Sequence, residues 1–457
     1  MNTSLDEYFK QFEQLHIEHL QAFLRIPSVS ALTEHHADLH QAAQWTAQAM
    51  RDAGLEHVEV MSTEGYPVVY GDWLHAVGQP TVLVYGHYDV QPADPLEIWD
   101  TPPFDPHVRD DKIYARGATD DKGQLLLHIK AVEGFLRTVG SLPINIKFCI
   151  EGEEEIASDH LTAYIDKHQE KLQADVITLS DTTLLSATQP ALMYSLRGLA
   201  GLEIEVEGAK TDLHSGIYGG GIPNPIHALT RLLHTFHTAD GRVNVQGFYD
   251  DVVELTDAER RSFLKFAPED EDIKKELHLD ALYGETGYSY YERTTARPTL
   301  EITSIHSGFM GEGIKPIIPR LATAKIACRL VVAQDPEAIL RAVEAHVHQH
   351  APVGVKVTVH GRMVGQPFLS PTDHPYMVAA GQAYQAVYGN WPVYTRGGGS
   401  IPIVETLARI LRAPVVMLGF GLPSENPHAP NEHFHLDNWR KGLQTISRFW
   451  INLPRQK

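Results

Sequence analysis

The sequence predicts an α/β protein whose mixed sheet is interrupted by a smaller α+β module. Short continuous apolar runs (PTVLVYGH, INIKFCI, ADVITLS and APVVMLG) alternate with amphipathic helical segments. That is the pattern of strands buried on both faces and covered by helices. The stretch 196–362 has a different texture. There GLEIEVEG, KIACRLVV and VKVTVHG largely alternate apolar with polar residues, as half-buried antiparallel strands do.

Taken in order, residues 4–25 place Leu5, Phe9, Phe12, Leu15, Leu20 and Phe23 at helical spacing, and Pro27 ends the run. His16 sits where a further apolar residue would complete the stripe, so the repeat is imperfect. A second helix spans 37–53 and stops at Gly54. HVEVM, VVYGDW and PTVLVYGH follow as strands, then a helix at 122–138, a strand at 144–152, a helix at 158–169 and a strand at 174–180. In the middle stretch a helix beginning near Asn224 and another at 335–349 join the alternating strands into a strand–helix–strand–strand–helix–strand module. Residues 240–300 are less regular, and the tyrosines of YGETGYSYYER read as packing or as a subunit contact, with a ligand surface as the alternative. Helices at 373–388 and 402–411, a strand at 413–419 and a last helix at 436–453 complete the chain. In that last helix Trp439, Leu443, Ile446, Phe449 and Trp450 form a core stripe. The expected organisation is one domain in two parts, 1–195 and 366–457, with 196–365 inserted.

Composition narrows the function. The 457 residues, 43% of them hydrophobic, suffice for two cores. A formal charge of −20 leaves no basic surface for nucleic acid. Cys149 and Cys328 lie inside apolar runs and make no CxxC or disulfide framework. The first residues are polar and lack a signal-peptide core, and no apolar stretch is long enough for a bilayer. The expectation is a cytoplasmic protein with no membrane partner.

Chemistry gathers where strands should end. His87 and Asp89 (GHYDV), Asp120 (GATDDKG), Glu154 and Glu155 (EGEEE), Asp181 (LSD) and His433 (NEHF) each follow or lie near such a run. Loops over a sheet edge are where open α/β folds place function. Singly each has a plain reading: a polar turn, acids at a helix start, an acidic loop, one histidine among 26. Jointly, hard oxygen donors with imidazoles fit a divalent-metal hydrolase. Two further loops stand out. DLHSG offers His214 beside several glycines, without the spacing of a phosphate-binding loop. RGGGSIP precedes a helix, so its backbone N–H groups, with Gly399 and Ser400 and with Arg396 or Arg329 nearby, could attract a carboxylate. A helix cap with surface arginines is the alternative.

VLVYGHYDVQP, WDTPPF, IYARGATDDKG, IEGEEE, LMYSLRG, DLHSG, GGGIPNP, IIPR, RGGGSIP and PNEHF together resemble the M20 metallopeptidases, in particular their carnosinase-like dipeptidase branch, in order along the whole chain. The resemblance implies a zinc-peptidase-like catalytic domain with an inserted lid and dimerisation domain. It implies His87, Asp120 and Asp181 as ligands of one divalent cation and Asp120, Glu155 and His433 as ligands of a second. It makes Asp89 the partner of His87 and Glu154 the general base of a metal-assisted hydrolysis of dipeptides or short peptides with a free C-terminus. Zinc is the cation expected, with manganese or cobalt as alternatives. His214 would stabilise the oxyanion in a homodimer, and Arg329, Arg396, Gly399 and Ser400 would receive the substrate carboxylate. Gly397 stands where close relatives of this branch carry glutamate. The rival activity is N-acyl-amino-acid deacylation by the same centre.

Overall fold

The structure is a computed structural model and describes residues 4–453. The chain divides into two compact units, residues 1–194, 370–395 and 403–457 in the first and 195–369 and 396–402 in the second. The insertion therefore has a later end than the sequence boundaries suggest, at residue 369, and a detached piece, because the RGGGSIP stretch packs with it.

The first unit is built on a mixed sheet. Its central strands run Glu56–Met61, Val68–Trp73, Asn145–Glu151, Thr81–His87, Val176–Leu179, Val415–Met417 and Ala191–Leu196. The four strands from 145 to 417 in that order are mutually parallel, and antiparallel pairs flank them on both sides. Residues 145–151 and 81–87 are almost wholly buried along their length, which explains their unbroken apolar sequence. Parallel pairing also aligns their ends. His87 pairs in register with Glu151, and Glu154, Glu155 and Asp181 follow within a few residues of strands that end on that side.

The helix His36–Ala53 ends at Gly54, whose φ of 96° closes the left-handed cap. The expected helix at 4–25 is two helices, Leu5–Gln11 and Glu13–Leu24, broken at Phe12. Leu20, Phe23 and Leu24 are fully buried, each worth roughly 2 kcal/mol of apolar transfer. His16, the flaw in the stripe, is also fully buried, 3.7 Å from the Glu133 carboxylate and edge-on to Trp439. The last helix, Leu436–Asn452, buries Trp439, Leu443, Ile446, Phe449 and Trp450 as its spacing requires.

The second unit holds an antiparallel sheet in the order Thr299–Ser307, Leu321–Leu330, Gly198–Glu207, Lys356–Gly365. Gly198–Glu207 alternates buried and half-buried residues without a break. Its inward set, Ala200, Leu202, Ile204 and Val206, packs with Leu229 and Leu232 of Pro225–His234 and Val343 and Val347 of Pro336–His350. The irregular region 240–300 contains three short helices. Tyr288 there lies against the guanidiniums of Arg260 and Arg297, and Tyr291 packs on Phe263 and Phe266, so these tyrosines serve packing. Among the described residues no helix is long and apolar enough to cross a membrane.

Candidate metal centre

His87 ends its strand fully buried. Its Nδ1 faces Asp89, 3.1 Å from the backbone oxygen and 3.3 Å from the carboxylate, which leaves Nε2 directed at Asp120, 3.3 Å away. The partner of Nδ1 fixes the ring. The same Asp89 carboxylate accepts the backbone N–H groups of Glu154 (3.3 Å) and Glu155 (3.1 Å). One buried acid thus orients the imidazole and holds the glutamate turn. Gln91 adds a hydrogen bond to the Glu155 carboxylate at 2.8 Å.

His87, Asp120 and Glu155 each present one ligand atom, and these atoms lie within 4.8 Å of one another. His87 Nε2 and Glu155 Oε1 are buried without a hydrogen-bond partner. Buried polar atoms are normally satisfied, so an imidazole nitrogen and carboxylate oxygens converging with free lone pairs suit a divalent cation.

The electrostatics agree. Burial pushes the carboxyls of Glu154, Glu155 and Asp181 upward, and the nearby Asp120 pushes them further. Asp121 is also driven up by burial; one of its oxygens faces the His87 backbone N–H at 3.4 Å. That approach needs Gly86, because a Cβ there would lie 2.9 Å from the Asp121 oxygen. Asp120 alone is lowered: burial opposes its charge, but His428 and His87 outweigh it. Several like-charged acids in one dry site demand a countercharge.

The stretch NPHAPNEHFHLD crowds His428, His433 and His435 together, and the resemblance gave the ligand role to His433; it is His428 that lies against the acids. His428 Nε2 lies 2.7 Å from Asp120 Oδ2 and 3.2 Å from Glu155 Oε2. His433 pairs with Tyr114 in a short antiparallel ribbon, stacks on its ring, and directs Nδ1 to Asn431 O at 3.0 Å. The strand holds His433 beside Tyr114, with its Nε2 buried and without a hydrogen-bond partner, while His428 sits in the preceding turn with a φ of 59°, a left-handed conformation uncommon for residues other than glycine. Beside the acids its imidazole is raised to about 11, through hydrogen bonds to Asp120 and Glu155. Asp181 is half-buried just beyond the strand Val176–Leu179.

The remaining candidates lie in the second unit. His214 is exposed, and its ring accepts the N–H of Gly216. Arg329 donates to the Ser400 hydroxyl at 3.0 Å, and that hydroxyl donates to Arg197 O. Arg396 pairs with Glu259 at 2.5 Å. Gly399 O accepts the Arg197 N–H, and the space where its Cβ would be is open. Arg197, quoted only within LMYSLRG, is buried beside this loop. Its guanidinium is brought down to about 10 by burial and then by Arg329.

A model of Peptidase family M20/M25/M40 matches residues 83–452, and the chain belongs to that family. It is 31% identical to the Cys-Gly metallodipeptidase of Schizosaccharomyces pombe over 98% of both chains. It is 31% identical to the human Beta-Ala-His dipeptidase, over 85% of this chain and 78% of the other. An M20 family metallo-carboxypeptidase from Sulfolobus solfataricus superposes with a TM-score of 0.86 at 31% identity, covering 96% of this chain and 98% of that one. The fold and the His87–Asp120–Glu155 group are those of a metallopeptidase.

Proposed function

We propose that the protein is a dipeptidase that uses two divalent cations to hydrolyse dipeptides or short peptides with a free C-terminal carboxylate. The observation that carries this is the convergence of His87, Asp120, Glu155 and His428 beside the half-buried Glu154. Asp120, His87 and Asp181 would hold one cation, and Asp120, Glu155 and His428 the other, with Asp120 common to both. Bound cations of this type supply Lewis acidity and acidify water. Zinc suits the mixed nitrogen and oxygen donors, and manganese or cobalt would also be accepted.

In this reading Glu154 takes the proton of the attacking water and returns it to the leaving amine. Burial and neighbouring acids raise its carboxyl, which favours holding that proton between the two transfers. Asp89 keeps the His87 ring and the Glu154–Glu155 backbone in place. Arg329 and Ser400 are assigned to the substrate carboxylate. The inserted unit is assigned the lid and dimer roles, with His214 donating to the oxyanion.

The test is hydrolysis of a dipeptide panel by chelated protein reloaded separately with Zn, Mn and Co, alongside N-acetyl and N-succinyl amino acids. Cleavage of free dipeptides restored by one cation supports the reading. Cleavage of the N-acyl compounds alone moves the activity to deacylation, and turnover indifferent to chelation sinks the metal mechanism.

A further inference from the structure

Behind the centre lies a buried ion pair with no part in the chemistry above. Arg116 and Glu432 meet at 2.7 Å with side chains 1% and 0% exposed. The Glu432 carboxylate also accepts the backbone N–H groups of Gly117 (2.9 Å), Thr119 (3.0 Å) and Asp120 (3.2 Å). Arg116 gives a second hydrogen bond, 3.1 Å, to Pro92 O. The contacts therefore join the loop carrying His87 and Asp89, the turn that ends in Asp120, and the segment that holds His428 shortly before Glu432.

An isolated buried carboxylate is unfavourable by several kcal/mol, and this one is satisfied by charge-assisted bonds. For stability alone, apolar residues of similar volume often serve as well as a buried ion pair. What an apolar pair cannot do is receive three N–H groups of one turn, those of Gly117, Thr119 and Asp120, and so fix the backbone of Asp120. Glu432 also shares its segment with His428, so it sets the distance between two ligand groups that come from far apart in the chain. Fully buried Glu425 reinforces the junction by accepting the Thr119 hydroxyl at 2.7 Å and the His435 N–H at 2.9 Å.

We infer that Glu432, braced by Arg116, is a positioning residue of the metal centre. It holds Asp120 and His428 at ligand spacing and so sets cation affinity without touching the cation. This inference rests on the metallopeptidase reading.

The experiment titrates chelated protein with Zn²⁺ or Mn²⁺ against a chromogenic chelator and records the melting temperature of the metal-free form. Glu432→Gln preserves shape but places an amide against donors. Its cation affinity is expected to fall about 10- to 100-fold, while the metal-free protein keeps its cooperative transition. Affinity within about twofold of wild type overturns the inference, whatever happens to the melting temperature. Where Glu432→Gln does not fold, Arg116→Lys is measured instead, since it keeps the charge but cannot span Glu432 and Pro92 together. A smaller drop in affinity is expected there, and wild-type affinity overturns the proposal. Wild-type protein that takes up no cation overturns the metallopeptidase reading itself, a result separate from either variant.

Discussion

The helix Lys122–Thr138 has buried charge at both ends and handles it in opposite ways. Before its first turn Asp120 and Asp121 join Glu154, Glu155 and Asp181, a crowd of acids that meets two imidazoles, His87 and His428, and no lysine or arginine in an ion pair among the described residues. Farther along, Glu133 is matched. Lys130 donates to it at 2.6 Å and the Tyr8 hydroxyl at 2.8 Å, and Lys130 turns a second hydrogen toward His19 at 2.8 Å. A closed network of this kind stabilises what is already present. A cluster that cannot neutralise itself is built for something that arrives.

The largest effect separating the two ends should come from Glu154→Gln. Turnover is expected to fall by about 10²–10⁴, the usual worth of a general base, with cation content retained by elemental analysis. Unchanged turnover removes Glu154 from the proton path. Next comes the pair of histidines. His428→Ala should weaken cation binding by at least about tenfold, whereas His433→Ala, which loses a ring stacked on Tyr114 and a hydrogen bond to Asn431 O, should bind cation as wild type does. The reverse pattern in a chelator competition would restore His433 as the ligand.

The smallest effect belongs to the matched end. Burial alone would raise Glu133, but contacts with His16, Lys130 and Tyr8 draw it from its ordinary 4.5 down to about 2. A depressed carboxyl contributes stability that is complete above its unfolded value and is lost as pH falls through the folded one. Wild-type stability should therefore decline between about pH 4.5 and 2, by on the order of 1–2 kcal/mol after solvent screening. Glu133→Gln should flatten that part of a denaturation-versus-pH curve, and equal slopes in both proteins would remove Glu133 as the cause.

The comparison also shows what a sequence can reveal. The strands around His87 and Glu151 were legible because a fully buried parallel strand has to be apolar throughout. The last helix was legible because one face has to be apolar. The glutamate turn followed from its place after a strand, whereas Asp120, which precedes the helix Lys122–Thr138, took its role from the family resemblance. His16 was readable only as an interruption, since its partner Glu133 lies more than a hundred residues away. His428 and His433 could not be separated by spacing. What divides them is backbone conformation, a left-handed turn against a paired strand, and neither leaves a mark in residue type. The Glu259 partner of Arg396 was hidden for a similar reason, because it comes from a distant helix in a region with little periodicity.

Gly86 carries a consequence for how this sequence can drift. Replacing glycine with anything else adds at least a β-carbon, here 2.9 Å from an oxygen of Asp121. The first step along any mutational route at 86 therefore presses on the neighbour of Asp120, thirty-five positions downstream. Change at 86 is therefore tied to position 121: a side chain at 86 is accepted only where Asp121 shifts or is replaced by something smaller.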